Sequence, residues 1–98
     1  MIGHYTATSE AEITVRSTWH AMLVQVDEYG AGKDTPTPVE IEGKTKFASN
    51  YQPIATIKLA DYSAVETPDA DGLYMLDVEG LDFVKFTFEG SNVYYNVV

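Results

Sequence analysis

The stretch that decides the fold is residues 72–98, GLYMLDVEGLDFVKFTFEGSNVYYNVV. It contains three apolar runs with short Gly-containing breaks between them, at 73–78, 83–89 and 93–98. Runs of this length, rich in Val, Phe and Tyr and interrupted by Gly, Asn and Asp, are typical of strands joined by hairpins. The sequence therefore predicts an antiparallel meander here, covered by a second layer that the earlier chain supplies.

The earlier chain also reads as strands. Apolar and polar residues alternate with a period of two, which indicates strands with one buried face, at 11–17, 20–29, 39–42 and 53–60. Between them, GAGKDTPTP at 30–38 combines Gly and Pro and predicts a long loop. No helix is signalled. The predicted fold class is all-β, an antiparallel β-sandwich of about seven strands, Ig-like or jelly-roll-like.

The predicted core follows from the same alternation. Phe47 and Tyr51 are expected to anchor the mixed segment 43–52. The other expected core residues share the inward faces of the strands or accompany them: Trp19, Val24, Val26, Ile57, Tyr74, Leu76, Val78, Val84, Phe86, Phe88, Val93, Tyr95 and Val97.

The length of 98 residues predicts one domain, at 11–98, preceded by a polar N-terminal arm at 1–10. Two interpretations of the arm stay open, a loose terminus or a segment that orders on a partner. It has neither the basic region nor the apolar region of a signal peptide, so we expect synthesis in the cytoplasm.

Charge narrows the classes of partner. The net charge is −9, from 15 Asp and Glu against 6 Lys and Arg. So acidic a surface repels phosphate backbones and anionic lipid, so we expect neither nucleic acid nor membrane as a partner. The apolar runs have strand length, too short for a transmembrane helix.

No pattern of catalytic residues passes a spacing test. The GAGK run at 30–33 lacks the upstream Gly and the following Ser or Thr of a phosphate-binding loop. The DADG run at 69–72 lacks the remaining ligands of a calcium loop and is explained by a turn. There is no Cys, and the two imidazoles, His4 and His20, are too few for a metal site. We therefore expect no enzyme activity, cofactor or metal.

Tyrosines supply the candidate binding residues. Tyr62 and several others fall in predicted loops or at strand ends, and Tyr94 alternates out of phase with Tyr95. Exposed Tyr is frequent in protein interfaces and in sugar-binding platforms, although strand propensity explains the same residues equally well. The predicted partner-binding residues are His4, Tyr5, Tyr29, Tyr51 and Tyr94.

The final third resembles a pattern of small phage structural proteins. The matching residues are the run ADGLYMLDVEGL at 70–81 followed by Val84, Lys85 and Phe86. The resemblance implies a β-sandwich on the outside of a virion, as in head decoration, head fibre and tail-associated modules. A GSxDGxxW strand pair common in that family is replaced here by 27–38, which lacks the Trp, and no functional residue is carried over.

The resemblance implies a non-enzymatic virion protein, and capsid decoration or a head-fibre-like role is the expected function. The expected partner is the major capsid protein or another virion protein, and a homotrimer is expected because closed symmetry suits a repeating lattice. One alternative is a carbohydrate-binding or host-adsorption module that stacks sugars on Tyr29, Tyr51 or Tyr94. An enzyme is the third possible function.

Overall fold

The computed structural model describes residues 2–6 and 10–97, and within them the chain forms ten strands and no helix. In chain order the strands are β1 (Ile2–Thr6), β2 (Glu10–Thr14), β3 (Ala21–Asp27), β4 (Glu40–Lys44), β5 (Gln52–Pro53), β6 (Thr56–Lys58), β7 (Ser63–Val65), β8 (Gly72–Asp77), β9 (Phe83–Thr87) and β10 (Asn92–Val97).

The strands form two sheets, both antiparallel throughout. One has six strands in the order β1-β10-β3-β8-β6-β7, and the other has four in the order β2-β9-β4-β5. The predicted all-β antiparallel sandwich is confirmed, with more strands than the sequence indicated.

The predicted C-terminal meander is wrong. β8 and β10 both pair with β3 in the six-stranded sheet, while β9 lies between β2 and β4 in the other sheet. The chain crosses from one sheet to the other at 78–82 and crosses back at 88–91. The inward side chains of β9 therefore pack face to face against β8 and β10, which buries both apolar faces at once.

The structure has more strands than predicted because several of the strands are short. The predicted strand at 53–60 is divided into β5 and β6, and β7 was not predicted. β1 was not predicted either: part of the segment described as a polar arm, residues 2–6, pairs with β10 along its length. Tyr95 lies so close above Gly3 that a Cβ there would overlap its ring, so β1 needs a residue without a side chain at this position.

The core lies between the sheets. Phe86 and Phe88 have 0% and 1% of their surface exposed, and Val97 packs half-buried against the core's edge. The buried apolar cluster contains Ile13, Val15, Trp19, Met22, Val24, Val26, Val39, Ile41, Tyr74, Leu76, Val78, Val84, Phe86, Phe88, Val93 and Tyr95.

Three core predictions are wrong. Tyr51 lies over the outward side of the four-stranded sheet, against Lys85 and Glu12, and takes no part in the buried cluster. Phe47 is 91% exposed in the loop between β4 and β5. Ile57 faces outward and is only half-buried, because β6 presents Thr56 to the interior instead. The Thr56 hydroxyl donates a 3.0 Å hydrogen bond to the Val65 carbonyl, so a polar group is buried there with its hydrogen bond made.

In the part of the chain that the structure describes, no helix has the length and apolar character needed to cross a membrane.

Candidate functional site

The outward side of the six-stranded sheet carries large apolar side chains. In β8, Tyr74 and Leu76 point into the core, so Leu73 and Met75 point to solvent, where they are 42% and 41% exposed. Met75 pairs across strands with Leu23 on β3 and with Ile57 on β6, which places three apolar residues side by side. We call Leu23, Ile57, Leu73 and Met75 the outer apolar face.

Two open depressions flank this row. One, of about 420 Å³, lies toward the end of the sheet where β8 finishes, and its lining includes Ala55, Ile57 and Met75. The other, of about 240 Å³, lies toward β10 and is lined in part by Leu73 and Tyr94. The lining of both is mostly apolar. An exposed apolar surface with depressions is typical of a binding site for another molecule.

Carboxylates lie on this side of the sheet. Asp27 on β3 and Asp77 on β8 lie at outward positions, on opposite sides of the outer apolar face along the strand direction. Glu79 follows β8, and its Oε2 lies 2.7 Å from Nδ1 of His20. Every Lys and Arg falls within the described residues, and none occupies an outward strand position of this sheet. They occupy loops, the other sheet or the inward side of β6: Arg16, Lys33, Lys44, Lys46, Lys58 and Lys85.

Two predicted partner-binding residues meet beside the outer apolar face. His4 on β1 and Tyr94 on β10 are directly opposed across the strands. Their rings stack with centroids 4.2 Å apart and an interplanar angle of 1°. Tyr94 is opposed by Gln25 on β3, and Gln25 in turn is opposed by Leu73 on β8. The stacked pair therefore lies at the border of the outer apolar face. Whether His4 and Tyr94 bind a partner stays a prediction.

Tyr5, in contrast, contributes to the core. Its half-buried ring stacks on Tyr95 with centroids 5.8 Å apart and approaches the edge of Phe86 at 6.5 Å. Burial, followed by the hydrogen bond with Tyr5, raises the pKa of Tyr95. These contacts attach β1 to the interior of the sandwich, and they give the Tyr5 ring a structural role.

Tyr29 lies at the opposite end of the sandwich from the larger depression and packs against the core. Its backbone N–H donates a 2.8 Å hydrogen bond to Oδ1 of Asp71, which ties the long loop to the turn before β8. Burial and the nearby Asp69 carboxylate raise the pKa of the Tyr29 hydroxyl. The DADG run is thus a turn that holds another loop, and in residues 2–6 and 10–97 no cluster of acidic and imidazole side chains could hold a metal ion.

Tyr51 lies over the outward side of the four-stranded sheet. Its ring sits 4.5 Å from Nζ of Lys85 and 5.2 Å from Nζ of Lys44, measured to the centroid, and its hydroxyl donates to Glu12. Lys85 also lies 3.8 Å from Glu42. Burial, the bond to Glu12 and the surrounding carboxylates raise the pKa of Tyr51 to about 12. Tyr51 therefore stays a neutral donor that connects three strands.

The sequence placed Tyr62 in a loop but did not predict the exposure of three other large apolar side chains, those of Phe47, Leu73 and Met75. Phe47 was assigned to the core, and Leu73 and Met75 were not singled out. Tyr62 is 78% exposed at the tip of the β6–β7 hairpin and has a positive φ of 58°. The sequence did contain a signal for Leu73 and Met75. They are large apolar residues on the outward side of a strand whose inward side is already apolar.

Comparison with known proteins shows the fold. No family model matches the chain, and no curated protein matches it. The structure of SPBc2 prophage-derived protein YomS superposes with a TM-score of 0.70 and 16% identity, covering 99% of this chain and 92% of that one. The structure of PBSX exported protein XepA superposes with a TM-score of 0.76 and 14% identity; it covers all of this chain, which spans 38% of XepA.

Proposed function

We propose that this chain is a phage-encoded, non-enzymatic structural protein that attaches to the phage particle by binding another particle protein. The outer apolar face carries the proposal. Leu73 and Met75 are 42% and 41% exposed on the six-stranded sheet, beside two apolar depressions. Large exposed apolar side chains that group together mark protein interaction sites.

The assignment to a phage is based on the similarity of the fold to two known structures. The two similar structures are a prophage-derived protein and a PBSX exported protein, and the first matches this chain over nearly its whole length. Within that context we assign the chain to the outside of the virion, as a capsid decoration or head-fibre-like protein on the major capsid protein or a neighbouring virion protein. The acidic net charge of −9 suits attachment to protein better than contact with packaged nucleic acid.

The carbohydrate-binding alternative receives less support from the tyrosines. Tyr51 is engaged by Lys44, Lys85 and Glu12, and Tyr94 is stacked on His4. A sugar platform needs a free aromatic ring face, and the structure already occupies ring surface on both residues.

The test is the protein content of gradient-purified particles of the encoding phage, measured by mass spectrometry. We expect the wild-type chain in the particles, and we expect Met75→Asp to be lost from them while remaining folded by circular dichroism. Phe47→Asp is the matched control, because Phe47 is even more exposed but lies away from the outer apolar face. Absence of the wild-type chain from the particles would overturn the proposal, as would equal loss of both variants.

A further inference from the structure

The geometry points to a specific chemistry for the occupant of the outer apolar face: we infer that it binds a protein segment that presents a large apolar side chain between basic residues. The inference rests on the proposed function and defines the partner that it requires. Its basis is the combination of apolar residues in the middle of the face and carboxylates at both ends.

The middle of the outer apolar face can bind a large apolar side chain of the partner. Met75 and its cross-strand neighbours Leu23 and Ile57 form a continuous row, and an open depression lies on each side of it. A side chain placed in either depression would contact this row and remove both surfaces from water. Anchors of this kind, centred in an interface, contribute most of its binding free energy.

The ends of the face select the charge of the partner. Asp77 pairs with Ala21 at one end of β3, and Asp27 is the last residue of β3 at the other end. The two carboxylates are therefore separated by the length of that strand, about 20 Å at about 3.3 Å per residue. No Lys or Arg in the described residues faces outward between them. A partner with Lys or Arg at a matching separation complements both ends.

Charge also argues against a second copy of this chain as the occupant. Two copies related by a two-fold axis would bring the same acidic faces together, and each copy carries a net charge of −9. Like charges opposed across an interface weaken it. The occupant is therefore a different protein with a basic segment.

The experiment identifies the segment and then measures its charge dependence. A benzoyl-phenylalanine photocrosslinker is placed at position 75 of the full-length chain, or at position 47 as the control, and irradiated in phage-producing cells. We expect a protein adduct from position 75 only. The crosslinked peptide, sequenced by mass spectrometry, should contain a large apolar residue with Lys or Arg on both sides.

A synthetic peptide of that sequence then serves as the probe for affinity. We expect Met75→Ser to weaken binding by about 30-fold or more, as for a central anchor. Asp27→Asn and Asp77→Asn keep the side-chain shape, and each should weaken binding about two- to fivefold, with the difference lost at high salt. Phe47→Ser should bind as the wild type does.

Several outcomes would overturn the inference. These are no protein adduct from position 75, an adduct with another copy of this chain, a crosslinked segment without Lys or Arg, or unchanged affinity in the Asp27→Asn, Asp77→Asn double variant. A basic segment from a protein that is absent from the particle would support the inference while refuting the proposed function. The two can therefore fail separately.

Discussion

Replacing Phe86 by Ala tests the sandwich core directly. Phe86 is fully buried on β9, the strand whose position in the second sheet the sequence did not predict. Its ring lies 6.5 Å from that of Tyr5 and 6.2 Å from that of Tyr95, so it joins the four-stranded sheet to both β1 and β10. Loss of a buried Phe costs about 3–5 kcal/mol, against a total of about 5–15 kcal/mol for a typical domain.

The assay is urea unfolding followed by circular dichroism. With a slope of about 2 kcal/mol per molar urea, Phe86→Ala should lower the midpoint by about 1.5–2.5 M. Phe47→Ala removes the same atoms from a 91% exposed site and should change the free energy of unfolding by less than about 0.5 kcal/mol. Amide exchange in β1 should also quicken in Phe86→Ala, since Tyr5 loses a core contact. Equal midpoint shifts for the two variants would refute this packing arrangement.

Three further predictions concern a turn, a hydrogen bond and assembly. Gly90 has a φ of 71°, and a Cβ there would lie 2.8 Å from the Ala31 carbonyl oxygen, whereas Gly80 has a φ of 87° and open space around it. Gly80→Ala should cost about 1–2 kcal/mol in thermal or urea unfolding from backbone strain alone, and Gly90→Ala should cost more; equal costs would contradict the close approach. Burial first, and then the bond to Glu12 and the nearby carboxylates, raise the pKa of Tyr51 from 10.0 to about 12, so the stability linked to its neutral hydroxyl is fully present below pH 10 and is lost as the pH rises through 12. Tyr51→Phe should show a weaker dependence of the unfolding midpoint on pH across that interval, and an unchanged dependence would refute this environment of the hydroxyl. The homotrimer expected from the sequence is checked by light scattering after size-exclusion chromatography, where a monomer mass would contradict it.

Alternation was the most informative signal in the sequence. A strand with one buried face repeats every two residues, and this pattern assigned the inward residues of β3, β8 and β9 correctly. It failed at β6, where Ile54 and Thr56 alternate with Ala55 and Ile57, so both faces have similar apolar content. The buried Thr56 hydroxyl is acceptable only because Val65, its partner across the β6–β7 hairpin, accepts its hydrogen bond, and β7 was not predicted from the alternation.

Strand pairing was beyond the local pattern as well. The connections at 78–82 and 88–91 are short enough for hairpins, yet both cross between sheets. Whether each connection forms a hairpin or a crossing depends on the pairing of β10 with β3 and of β9 with β2. Both β2 and β3 lie tens of residues earlier in the chain. For the candidate site, alternation placed Leu73 and Met75 outward, but their grouping with Leu23 and Ile57 depends on the same unpredicted pairings.

The pairing of β10 between β1 and β3 has a consequence for folding on the ribosome. β3 acquires its second neighbour only when residues 92–97 become available, and β2 waits similarly for β9. Contacts so distant in sequence make folding slow, on the order of milliseconds to seconds. Both sheets must therefore close after nearly all of these residues have left the exit tunnel. Until then β3 has an unpaired edge, and nascent chains held close together, as on a polysome, risk pairing with one another.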